Sequence, residues 1–188
     1  IYHRRNEIVN YIVDTLEVDY SIEALRISLK VYNLPIFFDI LKQVDEAPVF
    51  EKPKMNLITY SVQCGYVDIV RCFSKLIENS DEKNRLLGVA VNFRRFDVFK
   101  YLHSSLINED NVKPNNNELI LKAAAVGHKS VLEYLLKFID QNCFEIRNTE
   151  KNSILSLASS YGELENVEFI VSLKPTAEQL NNRNVYGV

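Results

Sequence analysis

One stretch of this chain recurs along it, and that recurrence limits the available folds more than any other feature. Gly127-His-Lys-Ser-Val-Leu-Glu-Tyr-Leu-Leu136 aligns without gaps with Gly65-Tyr-Val-Asp-Ile-Val-Arg-Cys-Phe73 and with Gly162-Glu-Leu-Glu-Asn-Val-Glu-Phe-Ile170. Weaker copies begin at Arg94 and Tyr32, and a partial one at Arg4. The copies start at 4, 32, 65, 94, 127 and 162, so their spacings are 28, 33, 29, 33 and 35 residues. A period of this size is the mark of an array in which each unit buries its apolar face against its neighbours.

Each copy reads as the start of a helix. Val131, Leu132, Leu135, Leu136 and Ile139 fall on one face of a 3.6-residue period. A shorter apolar run precedes each copy: Ala24–Val31, Leu57–Val62, Leu86–Val91, Leu119–Val126 and Ile154–Ser159. Small residues close these runs, among them Ser61, Ala90, Ala123, Ala124 and Ala158, and let helices lie close together. The unit is therefore a helix, a tight turn and a helix. Asn84, Asn117 and Asn152 each lie ten residues before a copy and are expected to cap the first helices. No Gly/Ser-rich linker interrupts the pattern, so one array over residues 1–188 is expected.

Composition supports an all-α protein. Only 5 Gly and 5 Pro occur in 188 residues, few for a chain built on tight β-turns. At 47% apolar residues and a formal net charge of −3, the chain is globular and lacks the basic excess that nucleic-acid binding draws on. Its longest run without Asp, Glu, Lys or Arg, Met55–Val67, has thirteen residues, whereas a membrane-spanning helix takes about 20. Neither nucleic-acid binding nor membrane insertion is therefore expected. Cys64, Cys72 and Cys143, an odd number without tight spacing, fit reduced thiols in an intracellular, cytoplasmic setting. Cys72 lies in the second-helix pattern and is expected to be buried.

With these units in hand, the chain resembles the ankyrin repeat family. Glu118-Leu-Ile-Leu-Lys-Ala-Ala-Ala-Val-Gly-His128 and Ser153-Ile-Leu-Ser-Leu-Ala-Ser-Ser-Tyr-Gly162 carry the resemblance best. It implies a helical solenoid of about five to six stacked helix-turn-helix repeats. The family's T-P-L-H tetrapeptide is replaced by Asn56-Leu-Ile-Thr59, Arg85-Leu-Leu-Gly88, Glu118-Leu-Ile-Leu121 and Ser153-Ile-Leu-Ser156, so its Thr–His hydrogen bonding is expected to be absent or replaced. The glycine of the family's finger turn aligns with Lys54, Lys83, Asn116 and Lys151, which predicts irregular finger loops. The connections Ile107–Asn116 and Asp140–Lys151 are expected to be the mobile parts. Lys174-Pro-Thr-Ala-Glu-Gln179 predicts a helix stop and then a turn capped by Thr176 with Gln179. Asn184-Val-Tyr-Gly187 matches the finger turn that opens a further unit, and the chain begins at Ile1, so it reads as a fragment.

Catalytic signatures are missing. The sequence has no phosphate-binding loop, dinucleotide fingerprint, zinc-protease helix or nucleophile elbow. His3, His103 and His128 are isolated from one another, and a Cys64–His103 nucleophile pair has no local signature. His128 stands where the family places a turn-packing histidine. Neither cofactor nor metal is expected. The resemblance implies a non-catalytic module that binds another protein through its concave face and fingers. Position by position, the candidate partner-binding residues are Gln63, Cys64, Asn92, Phe93, Arg94, Arg95, Ser160 and Tyr161, with Phe93 and Tyr161 as anchors. The Asn-, Lys-, Ile- and Tyr-rich composition is usual in AT-rich genomes and suggests a pathogen effector or viral host-interaction factor. The alternative is the substrate-recruiting part of an enzyme whose chemistry lies outside residues 1–188.

Overall fold

A computed structural model describes residues 21–30, 35, 37, 51–74, 77, 80–107, 114–139, 142–181 and 183–186. The repeat copy at Arg4, nearly all of that at Tyr32, and His3 lie outside the described residues. So do residues 108–113, 140–141 and 187–188. Among the described residues every regular element is helical and no strand occurs.

The chain divides into two compact units, Ile1–Ser61 and Val62–Val188. In the first, helix α1 spans Ser21–Lys30, and helix α2, Glu51–Cys64, begins. Leu25, Leu29, Phe37, Leu57 and Ile58 are buried. Two hydroxyls buried with them are satisfied within their own helices: Ser28 Oγ donates to Leu25 O at 2.7 Å and Ser61 Oγ to Leu57 O at 2.8 Å.

The second unit carries the repeats most clearly. Its helices are α3 (Val67–Ser74), α4 (Ser80–Asn92), α5 (Phe96–Ile107), α6 (Asn116–Ala125), α7 (Lys129–Leu135), α8 (Ile154–Ser160), α9 (Leu164–Ser172) and the short α10 (Ala177–Leu180). Consecutive helices pair as α4–α5, α6–α7 and α8–α9. First helices then stack in the row α4–α6–α8, and second helices in the row α3–α5–α7–α9. The buried stripes explain this order. Val98, Phe99, Leu102 and Leu106 line α5, Val131, Leu132 and Leu135 line α7, and Leu86, Leu87, Ala90 and Val91 line α4. Each of these Val, Leu and Phe side chains contributes roughly 1.5–3 kcal/mol of hydrophobic stabilisation. In α7 the stripe stops short of its expected length, because the chain tightens into a 3₁₀ turn at Leu136–Phe138.

One motif joins the helices of each pair. A residue with positive φ follows each of α2, α4, α6 and α8 at the start of a sequence copy: Gly65 (84°), Arg94 (55°), Gly127 (69°) and Gly162 (73°). The following N–H reaches back into the last helical turn: Arg95 N to Ala90 O, His128 N to Ala123 O and Glu163 N to Ala158 O, each at 2.9 Å. This left-handed C-terminal cap satisfies carbonyls that the helix leaves open. All three acceptors are alanines, the small residues noted in the sequence. Arg94 adopts the left-handed conformation without being glycine, at a penalty of about 1–2 kcal/mol. Lys174, with φ 58°, also turns left-handed after α9, but there its own N–H donates to Val171 O at 3.0 Å and the following Pro175 has no N–H to give.

First-helix starts differ from the sequence expectation. Asn115 rather than Asn117 caps α6, its Oδ1 accepting from Glu118 N. Ser153 rather than Asn152 caps α8, in a reciprocal box with Ser156: Ser156 N donates to Ser153 Oγ at 3.1 Å, and Ser153 N to Ser156 Oγ at 2.8 Å. Asn84 lies inside α4, which starts four residues earlier with the acidic turn Asp81-Glu82. Helix starts follow local side-chain geometry, which fixed spacing from the glycine does not encode. The Ser153–Ser156 box replaces the family's Thr–His pair, and Thr176 with Gln179 forms the expected box at α10.

The finger positions split into two kinds. Lys54 and Lys83 are helical, so no finger turn forms there. Lys151 does turn, with φ 62°. There Asn148 Oδ1 accepts from Glu150 N at 3.0 Å and from Asn152 N at 2.8 Å. Asn184 repeats this turn, its Oδ1 accepting from Tyr186 N at 3.0 Å. Val185 N donates to Glu150 O, and Asn184 Nδ2 to Asn152 Oδ1, so the two turns stack.

Candidate functional site

The cap geometry places a row of side chains at the ends of the first helices. Phe93, Val126 and Tyr161 each stand immediately before the left-handed residue. Phe93 is 46% and Tyr161 68% exposed, and Asn92 and Ser160 beside them are exposed too. Both rings leave much of their apolar surface in water beside the turn. Leu164, next to the Tyr161 turn, is 66% exposed.

The two arginines of the degenerate turn are engaged within the array. Arg94 reaches forward: Nε and Nη2 donate to Val126 O at 3.0 and 2.7 Å, and Nη2 also to Glu163 Oε2 at 3.1 Å. Arg95 reaches backward, its Nε donating to Gln63 O at 2.7 Å. Each passes over the turn glycine of a neighbouring repeat. A Cβ added at Gly127 would lie 1.8 Å from Glu163 Oε2 and 2.3 Å from Arg94 Nη2, and one at Gly65 would lie 3.1 Å from Arg95 Cδ. The structure thus brings Gln63 to Arg95 and Arg94 to the Val126–Glu163 region. Cys64 is half-buried at the end of α2.

Histidines and a buried asparagine complete the repeat junctions. His103 is fully buried and surrounded by Phe99, Tyr134 and Phe138, with ring centroids 5.1–5.5 Å away. Its Nε2 lies 2.8 Å from Asn116 Oδ1, while Asn116 Nδ2 donates to Phe138 O. That orientation puts the proton on Nε2 and leaves Nδ1 buried without a donor. Burial pushes the His103 pKa below its usual value, with the Asn116 hydrogen bond opposing. His128 packs edge-on against Phe96, and burial, then the Arg94 charge, push its pKa down. Asn166 is fully buried in α9, and its Nδ2 donates to Ala123 O and Ala124 O at 2.9 and 3.0 Å, closing the end of α6. Periodicity did not single it out, since it occupies the place of Ile69, Val98 and Val131. An asparagine in an apolar stripe was the available signal.

Cys72 is exposed, contrary to the sequence expectation. It lies off the Ile69, Val70 and Phe73 face through which α3 is buried. Among the described residues no group of three or more His, Cys, Asp or Glu is placed to hold a metal ion. No described helix is long and apolar enough to cross a membrane.

A family model described as ankyrin repeats, three copies, matches residues 87–183, just over half of the chain. The chain belongs to the ankyrin repeat family. The matched span begins within α4 and takes in the α6–α7 and α8–α9 pairs. Ankyrin repeats are generally protein–protein interaction modules, and Phe93 and Tyr161 are exposed at the cap turns of this ankyrin array.

Proposed function

We propose that this ankyrin array is a non-catalytic module that binds a partner protein, with Phe93 and Tyr161 as its anchors. The observation that carries this reading is their exposure at matching cap positions of two repeats. The cap fixes the backbone beneath each ring, so contact requires little main-chain ordering. Gln63, Cys64, Asn92 and Ser160 form the polar surroundings, and Arg94 and Arg95 hold the turns in register while leaving part of their guanidinium groups in water. Three unpaired cysteines support a reducing compartment.

The test is affinity capture from lysate with the wild-type chain and with the Phe93→Ala/Tyr161→Ala variant. Both are first shown to unfold at the same denaturant concentration. A stoichiometric protein partner captured by wild type and lost with the variant supports the reading. Capture that the double substitution leaves unchanged removes Phe93 and Tyr161 from the site.

A further inference from the structure

We infer that one face of α9 docks a basic amphipathic helix of the partner protein; this deepens the interaction-module reading and rests on it. The face follows from the register of the repeats. Phe96, Phe99 and His103 are the residues through which α5 meets α7. Tyr134 lies edge-on to all three, with ring centroids 6.0, 6.0 and 5.3 Å away, and Phe138 covers His103 at 5.1 Å. One repeat on, Lys129 takes the place of Phe96 and Phe169 that of Tyr134, and the contact recurs: Lys129 Nζ lies 5.8 Å from the Phe169 ring centroid. One repeat further, the places of Phe96, Phe99 and His103 fall to Leu164, Val167 and Val171. All three are aliphatic. Leu164 is 66% and Val171 48% exposed, and Val167 is half-buried. The stripe that α7 covers on α5 is therefore apolar on α9 too, but left largely in water. A surface that receives a helix at the two preceding junctions has the side chains to receive one here.

Charge selects the kind of helix. Glu168 neighbours both Leu164 and Val171 at helical spacing, so it flanks the stripe, and Glu165 stands further round on the same side. Both are exposed, and among the described residues neither pairs with a cation. The occupant that fits carries large apolar side chains four residues apart, as Tyr134 and Phe138 are where they cover α5. It carries Lys or Arg on the side that meets Glu165 and Glu168. Tyr161, one anchor of the proposed site, stands at the turn just before Leu164, so the stripe continues the surface from that anchor.

The experiment is an amide NMR titration with two blocked peptides, one of four Phe-Lys-Ala-Ala units and one of four Phe-Glu-Ala-Ala units. As helices both align their Phe side chains on one face, and only the first has a basic flank. The expected result is a saturable shift of the Leu164, Val167 and Val171 amides with the Lys peptide, and about tenfold weaker binding of the Glu peptide. Leu164→Ser/Val171→Ser, at exposed positions, abolishes the shifts while the remaining spectrum stays folded. Glu165→Gln/Glu168→Gln brings the affinities of the two peptides together. Equal binding of both peptides to wild type, shifts that survive the serine substitutions, or no saturable shift overturn the inference. So do concentration-dependent shifts of the same amides without peptide, which give the stripe to a second copy. Binding of the Lys peptide to residues 1–188 but not to the product of the complete gene gives it to a following repeat, and overturns the inference as well. Failure here while the Phe93→Ala/Tyr161→Ala variant still loses its partner leaves the interaction module standing without this stripe.

Discussion

Arg94 Nη2 lies 3.1 Å from Glu163 Oε2, joining residues 69 positions apart in sequence. The same guanidinium donates to Val126 O, so one side chain bridges three successive repeat turns. The pair crosses directly over Gly127. Arg94 thereby has a role that offsets its own left-handed strain, and the turn of the neighbouring repeat has to remain without a side chain.

Gly127→Ala is expected to destabilise the array more than Gly162→Ala. Both glycines hold positive φ, and alanine at either incurs about 1–2 kcal/mol. At Gly162 nothing lies within 4 Å of the new Cβ, whereas at Gly127 the Cβ displaces both Glu163 and Arg94. The expected excess is about 1 kcal/mol, the low end of overpacking penalties, because the arginine of the ion pair remains solvated and can shift. Urea midpoints of the two variants check this. The excess shrinks in a Glu163→Ala background.

Asn166 gives a sharper chemical test. Removing its amide leaves Ala123 O and Ala124 O open at a buried helix end, and Asn166→Ala is expected to lose about 1–3 kcal/mol. Asn166→Asp presents a carboxylate to the same two carbonyls and is expected to lose more, about 3–5 kcal/mol, the scale of an uncompensated buried charge. The order Asp below Ala below wild type in urea unfolding checks the donor assignment.

Much of this arrangement was legible in the sequence. Gly65, Gly127 and Gly162 marked the turns because only a left-handed residue ends a helix that way, and the small residues before them, Ser61, Ala123 and Ala158, marked the close crossings. Arg94 was found by alignment, but its bridge was not, since contacts across 32 and 69 residues leave no local periodicity. The Asn caps were misplaced because Ser153, Asn115 and the Asp81-Glu82 turn compete for the same role within a few residues. Position before the turn leaves Phe93 and Tyr161 either on the binding face or packed on a neighbouring finger, and the structure has both exposed. The approach of Lys122 Nζ to Gly88 was not legible, because Gly88 lies in another repeat.

Acid is expected to weaken the array. His103 and His128 both have pKa values lowered by burial below the ordinary 6.5. The unfolded chain therefore takes up protons first as pH falls, and stability rises with pH across that window. The contribution is complete above pH about 6.5 and is lost as pH falls toward the folded values. Urea midpoints from neutral to mildly acidic pH are expected to drop. His103→Gln, which cannot titrate, is expected to flatten that slope even though it lowers stability overall.

Substitution at the caps separates the observed helix starts from those expected by spacing. Ser153 Oγ accepts from Ser156 N, and Ser156 Oγ accepts in return from Ser153 N. Ser153→Ala removes the first of these bonds and is expected to lose about 0.5–2 kcal/mol. Asn115→Ala at α6 is expected to fall in the same range, since its Oδ1 accepts from Glu118 N. Asn117 is exposed within the first turn of α6, where alanine is the better helix former. Asn117→Ala is therefore expected to change stability by no more than a few tenths of a kcal/mol. Urea unfolding of the three variants side by side decides the matter. A loss at Asn117 equal to that at Asn115 places the start of α6 two residues later than the structure does.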